Sequence, residues 1–314
     1  MGRTYLQAKA RSVDFDKQII TCEEIFHHQS FDVSYDMLII STGTKTNTFN
    51  IKYVLEREGK EVFFLKNLWH ARQIRNRILE CFELAAIPLI DPAERDRLLN
   101  FIVVGGGPTS VEFVGELSDF LKEDVSRFFP ELKQFIRVTI VEAGGHLLGS
   151  FDKKLVSYVE KKFLSGGISV RLNTSVIGLS EDGKLATLSD GSTLPVGLMV
   201  WSAGLSPVKF IEHLDPKVKR TRGTQRILID DKLMVDSEIC KGKVFAIGDC
   251  AINQENPLAP LAQVARSQAL WLAKQLNKIP LPEELKVKSA QEILKENPAF
   301  NYLHMVSSVS TTST

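Results

Sequence analysis

The sequence predicts an α/β fold whose central strands run parallel, and three observations predict it. FIVVG (101–105), RVTIV (137–141) and GLMVWSAG (197–204) are apolar runs of the kind found in parallel strands covered on both faces. A glycine cluster, Gly105-Gly106-Gly107-Pro108-Thr109-Ser110, follows the first run, and Val111, Val114, Leu117 and Leu121 then mark one face of a helix. An acid, Glu142, closes the second run.

Taken in order, TYLQAKARSV within 3–13 and KQIITCEEIF (17–26) alternate as strands do. DMLIIST (36–42) reads as a buried strand that stops at Gly43. Leu68, Ile74, Ile78, Leu79 and Phe82 predict a helix over 66–86, and Pro88 and Pro92 mark a linker. The helix after the glycine cluster is expected to run on through EDVSRFFPELKQF. After 137–141 comes DKKLVSYVEKKF, a helix with Asp152 as its expected N-cap and Gly166-Gly167 as its stop, then the strand ISVRL. Asp182-Gly183 and Asp190-Gly191 are hairpin-type turns bracketing an antiparallel meander that leads into 197–204. The order β-α-β-α-β, meander, β describes a Rossmann-like nucleotide domain in which the meander replaces one crossover helix. Beyond it, RILIDDKLMV (226–235) reads as a hairpin, KVFAIGDCA (243–251) as a strand ending in Gly-Asp, and 257–276 as a helix introduced by Pro257 and Pro260.

With 44% hydrophobic and 25% charged residues, the 314 residues suffice for two domains with ordinary cores. A formal net charge of +1 argues against a dedicated nucleic-acid binder. No apolar run is long enough for a transmembrane helix, and the first residues, MGRTYLQAKARSVDFD, lack both a secretory core and the look of a transit peptide. Cys22, Cys81, Cys240 and Cys250 are not at metal or CxxC spacing, so neither a zinc site nor a dithiol centre is expected. His27-His28 reads as a surface turn without a role.

The chemistry follows from the glycine cluster. Gly105 permits a tight turn, and Gly107 lets a pyrophosphate approach the backbone. The helix N-terminus beyond supplies free N–H groups and partial positive charge. Ser110 stands where the fingerprint has a third glycine for close helix–strand packing. Glu142 is placed to accept hydrogen bonds from an adenosine ribose, although its distance from the glycines exceeds the usual ~20 residues; the alternative is a solvated strand-end acid. Gly248-Asp249, at a strand end, could hold a polyol such as a flavin ribitol, with the amides of the next helix facing a flavin carbonyl. ISTGT (40–44) and WSAGL (201–205) share a small-residue-then-glycine ending that suits a crossover between domains.

The set YDMLIISTGT, FFLKNLWHARQIRNRILECFE, VVGGGPTSVEFVGEL, TIVEAGGHLL, VWSAG, VFAIGDCA and PLAPLAQVARSQALWLAK resembles the type II, non-proton-pumping NADH:quinone oxidoreductases. The resemblance implies two Rossmann-like dinucleotide-binding domains, an NADH domain inserted in an incomplete FAD domain. The expected boundaries are 1–65 and 205–280 for the FAD domain, 66–100 for a helical linker, 101–204 for the NADH domain and 281–314 for a truncated C-terminal region. It implies NADH at Gly105, Gly107 and Glu142, and counts Gly106, Pro108, Thr109, Ala203 and Gly204 among the cofactor-binding residues. It implies FAD against Thr42, Gly43, Gly248, Asp249, Ala262 and Gln263. Gln263 and Arg266 match positions beside a quinone tunnel, where the family more often has His or Gln in place of Arg266. Glu112 matches a glutamate near nicotinamide, flavin and quinone. The calcium-binding insertion of some members is absent between Cys250 and Pro257. NADH and quinone are the implied partners, a mitochondrial inner-membrane surface the implied location, and a homodimer is admitted. No glycine-rich loop precedes Asp36 and no amphipathic docking region follows Ala299. The chain is therefore expected to be a member truncated at both ends, with weak flavin binding and weak membrane attachment.

Two other readings compete: a fragment that holds nucleotide and turns nothing over, and a disulfide reductase of the same architecture. The missing CxxC disfavours the latter.

Overall fold

The structure is a computed structural model that describes residues 4–149, 151–278 and 299–301. The chain divides into two compact units, 46–204 and the flanking segments 1–45 with the chain from Leu205 onward.

The inserted unit is built on a five-stranded parallel sheet ordered Val62–Phe64, Leu198–Trp201, Asn100–Val104, Arg137–Val141, Ser169–Arg171. Asn100–Val104 and Leu198–Trp201 are buried at every position, as strands covered on both faces must be. On one face Phe82 lies 6.1 Å from Phe101 and 5.7 Å from Phe129, ring to ring, within a core that includes Ile74, Leu99 and Ile140. On the other face Trp201, Ile102 and Met199 meet the meander Val176–Leu179, Leu185–Leu188, Thr193–Pro195. Each fully buried side chain of this size contributes about 1.5–3 kcal/mol, so these two layers hold in place the strand ends that carry the site.

The expected start of this unit at residue 101 differs from the structure. Strand Val62–Phe64 completes the sheet, and helix Leu68–Ala85 buries Ile74, Ile78, Cys81 and Phe82 against it. A further helix, Pro92–Leu98, is capped by the Asp91 carboxylate, which accepts from Glu94 N–H. Residues 66–100 are thus core rather than linker. The first helix after the glycines spans Pro108–Phe120, continues as a π-turn over Leu121–Val125 whose Leu121 carbonyl accepts from Ser126 Oγ, and passes into a 3-10 segment, Pro130–Phe135. That long crossover accounts for the wide spacing between the glycines and Glu142. Asp152 caps helix Lys153–Ser165 as expected, accepting from Lys154 N–H.

The other unit has an antiparallel three-stranded sheet, Ala8–Asp14, Ile19–Glu24 and Ser30–Ser34, the last not anticipated. Leu38–Ile40 pairs in parallel with Val244–Ala246. The expected hairpin at 226–235 is corrected: Ile227–Leu228 pairs in parallel with Ala251–Ile252, leaving one antiparallel bridge, Ile229 to Val235. The Asp230 carboxylate takes the Lys232 and Met234 amides that a hairpin ladder would have used. The helix expected from 257 begins at Ala262 and runs to Leu276. Pro260 accounts for this, because it pushes the preceding residue out of the helical region. Expectations for 281–298 and 302–314 fall outside the described residues.

Candidate functional site

Three parallel strands of the inserted unit end side by side: Asn100–Val104 runs into Gly105, Arg137–Val141 into Glu142, and Leu198–Trp201 into Ser202-Ala203-Gly204. Their ends border a cavity of about 670 Å³ whose wall includes Gly105, Gly106, Gly107, Glu142, Ala203 and Gly204. A crevice beyond the carboxyl ends of parallel strands is where open α/β sheets take ligands.

Each glycine has its own reason. Gly105 has φ +112, and a Cβ there would lie 3.1 Å from the Ala203 backbone. At Gly106 a Cβ would lie 2.7 Å from Glu142 Cγ and 2.9 Å from Leu147 Cδ2. At Gly107 nothing lies within 4 Å, so no protein atom requires a glycine there. The empty volume at Gly107 opens at the start of helix Pro108–Phe120, which has Pro at its first position and no side-chain cap. Uncapped amides and an open approach fit a pyrophosphate.

Glu142 is turned inward. Its Oε2 accepts from Gly106 N–H at 2.5 Å and its Oε1 accepts from Gly144 N–H at 2.5 Å. The acid therefore fixes both the glycine turn and its own loop, and it borders the cavity. Ser110 is fully buried, and its hydroxyl shares a 2.7 Å hydrogen bond with Ser202 Oγ, which also donates to the Val104 carbonyl at 3.3 Å. A hydroxyl pair thus joins helix to strand where the third glycine would have allowed bare contact.

In the other unit, the parallel pairing of Leu38–Ile40 with Val244–Ala246 brings Thr42-Gly43 and Gly248-Asp249 out at adjacent strand ends. Ile247 N–H donates to the Ile40 carbonyl, and Gly43 and Gly248 both have positive φ, +64 and +73. Gly248 N–H donates to Oε1 of Gln268, a buried side chain, at 2.7 Å. The sequence reading missed Gln268, although its place with Val264, Trp271 and Leu272 on the buried face of helix Ala262–Leu276 is a legible signal. A cavity of about 420 Å³ includes Gly248, Asp249 and Arg226, whose Nε donates to the Asp249 carbonyl. Burial pulls the Arg226 guanidinium below its ordinary pKa, against the opposing pull of Asp249. The first turn of helix Ala262–Leu276 has no side-chain cap, so its amides suit a flavin carbonyl.

Not every expected residue reaches a cavity. Thr42, Glu112, Ala262, Gln263 and Arg266 are exposed, and none borders either cavity. Pro108 and Thr109 form the first turn of their helix, and neither is among the residues that border the cavity. All four cysteines are free. Burial pushes the Cys81 and Cys240 thiols up to about 11, which disfavours the thiolate that disulfide chemistry needs.

The sequence matches the family described as pyridine nucleotide-disulphide oxidoreductase over residues 2–269. It is 39% identical over 281 residues to a probable NADH dehydrogenase of Dictyostelium discoideum, covering 88% of this chain and 59% of that protein. It is 38% identical over 312 residues to the internal alternative NAD(P)H-ubiquinone oxidoreductase A1, mitochondrial, of Solanum tuberosum, covering 96% and 60%. A solved structure of NDH2 from Plasmodium falciparum in complex with NADH superposes with a TM-score of 0.73 at 26% identity, covering 98% of this chain and 63% of that one. The chain thus spans about three fifths of the length of these relatives.

Proposed function

The chain belongs to the pyridine nucleotide-disulphide oxidoreductase family, and from that premise we propose that it is the dinucleotide-handling part of a type II NADH:ubiquinone oxidoreductase. Residues 46–204 bind NADH, and the unit formed by 1–45 and 205 onward supplies the Gly43 and Gly248-Asp249 side of an FAD site, which lacks the glycine-rich loop and binds flavin weakly. The observation that carries this reading is the cavity at the three strand ends, with uncapped helix amides and an open Gly107 on one side and Glu142 on the other.

The pyrophosphate lies over Gly107 and the first amides of helix Pro108–Phe120. Glu142, already fixed by Gly106 and Gly144, presents its remaining lone pairs to the adenosine ribose hydroxyls. A 2′-phosphate would bring a dianion to that carboxylate, so NADH is preferred over NADPH. Thr42, Gly43, Gly248, Asp249, Ala262 and Gln263 border the flavin. When bound, the flavin supplies the acceptor for the nicotinamide hydride and passes electrons on to quinone. Gln263 and Arg266, on the exposed first turns of their helix, face the quinone, and Glu112 stands near the nicotinamide. The relatives' names, which print a mitochondrial location, support the mitochondrion as the working compartment. Among the described residues no helix is long and apolar enough to cross a membrane.

The test is binding as well as turnover. The purified chain is titrated with NADH and with NADPH by nucleotide fluorescence, and its visible spectrum is read for flavin. Saturable NADH binding, with NADPH weaker, is expected. Absence of NADH binding at millimolar concentration would overturn the proposal. Disulfide reduction is the second reading, and the raised, buried thiols count against it.

A further inference from the structure

We propose that Phe49 belongs to the nucleotide site and packs its ring on the nicotinamide–ribose half of the bound dinucleotide. This rests on the dinucleotide reading of the cavity and goes beyond it, since no motif points to Phe49.

Phe49 is a large apolar side chain left 58% exposed, and it borders the cavity. Its backbone has φ +52, followed by Asn50 at +56, a region that side chains bearing a Cβ rarely adopt. An exposed ring on an unfavourable backbone is held there by specific bonds. Asn47 Oδ1 accepts from Phe49 N–H at 2.8 Å. The Asn47 carbonyl accepts from Trp201 Nε1 at 3.0 Å, and the Thr48 carbonyl accepts from Ile51 N–H at 3.0 Å. Trp201 is buried, so the turn is anchored to the core of the sheet. Such an outlier, over-determined by its surroundings and standing at a cavity, points to function.

The ring also lies against Gly204, whose φ of +73 already favours glycine. A Cβ at Gly204 would lie 2.6 Å from Phe49 Cζ, so the glycine leaves room for the ring against the strand end. Sheet order says which half of the ligand lies there. Glu142 ends one strand, the glycine turn ends the next, and Ala203-Gly204 ends the strand on the far side. A dinucleotide with its adenosine at Glu142 and its pyrophosphate at Gly107 therefore carries its nicotinamide half toward Gly204 and Phe49. A flat, apolar ring face is the chemistry that suits a nicotinamide ring.

The experiment uses the full chain with Phe49→Ala and Phe49→Tyr. Both are titrated with NADH and with ADP, which carries the adenosine and both phosphates but no nicotinamide. Phe49→Ala should weaken NADH roughly five- to tenfold, the scale of one lost aromatic contact. Phe49→Tyr should restore it, and ADP should bind all three proteins alike. If wild-type protein binds NADH and Phe49→Ala leaves that affinity unchanged, or if NADH and ADP weaken together, the assignment of Phe49 is wrong. If wild-type protein fails to bind NADH, the dinucleotide reading itself is what has failed.

Discussion

Glu142 Oε2 accepts the Gly106 amide hydrogen across 2.5 Å, so the acid proposed to read the ribose is also the acid that shapes the glycine turn. Specificity and loop geometry are therefore linked through one carboxylate, and substitutions there should move both.

Glu142→Gln replaces one acceptor oxygen by an NH2 that faces a backbone N–H. It should lower stability by about 1–3 kcal/mol, the cost of a buried donor left unpaired. It should also narrow the NADH-over-NADPH gap, mainly by improving NADPH, because the like-charge contact with a 2′-phosphate is gone. Urea denaturation and nucleotide fluorescence check the two effects separately. An unchanged NADH-to-NADPH ratio would remove Glu142 from the ribose site.

Gly106→Ala and Gly107→Ala should behave differently. At Gly106 the new methyl meets Glu142 and Leu147, so the variant should lose stability and nucleotide affinity together. At Gly107 it meets no protein atom, so melting temperature should stay near wild type while NADH affinity falls at least tenfold through contact with the pyrophosphate. Calorimetry paired with NADH titration distinguishes them; a Gly107→Ala protein that binds normally argues against a phosphate there.

Ser110 and Ser202 should be coupled. Each Ser→Ala change removes a hydrogen bond worth about 0.5–1.5 kcal/mol, and the double variant should lose less than the sum of the singles. Because Ser202 keeps the Val104 carbonyl as a partner, Ser110→Ala should be the milder change. Strict additivity in denaturant melts would show that the 2.7 Å contact contributes nothing.

Asp230 carries the pH prediction. Desolvation raises its pKa, with the Met234 and Lys232 amides opposing. A carboxyl whose folded pKa is raised stabilises the fold below its unfolded pKa, and that contribution is lost as pH rises through the folded pKa. At neutral pH the buried charge is a cost. Asp230→Asn keeps the acceptor oxygen, so it should stabilise the protein at neutral pH by up to about 1 kcal/mol and lose that advantage in acid. Denaturation midpoints measured at both pH values check the crossover; equal gains at both would exclude titration of Asp230 as the cause.

The parallel strands, the glycine turn and the acid at the next strand end are legible in the order of residues alone. Those signals are local: apolar runs, positive φ at Gly105 and a strand-to-helix switch are written in neighbouring residues. The sequence also carries the family, because motifs at 36–43, 105–117 and 243–268 occur together in order. Whatever depends on residues far apart in the chain required the folded arrangement. Strand Val62–Phe64 is three residues long and becomes a sheet edge only by pairing with Leu198–Trp201. Ser110 needed Ser202, 92 positions away, to show why serine serves in a glycine's place. The role of Gln268 comes from Gly248, which donates to it from 20 positions earlier in the chain. The place of the Phe49 ring depends on Trp201, which anchors its turn through Asn47, and on the room left at Gly204. Hydrogen bonds and contacts between distant segments leave no periodic trace in a sequence, whereas turns and buried strands do.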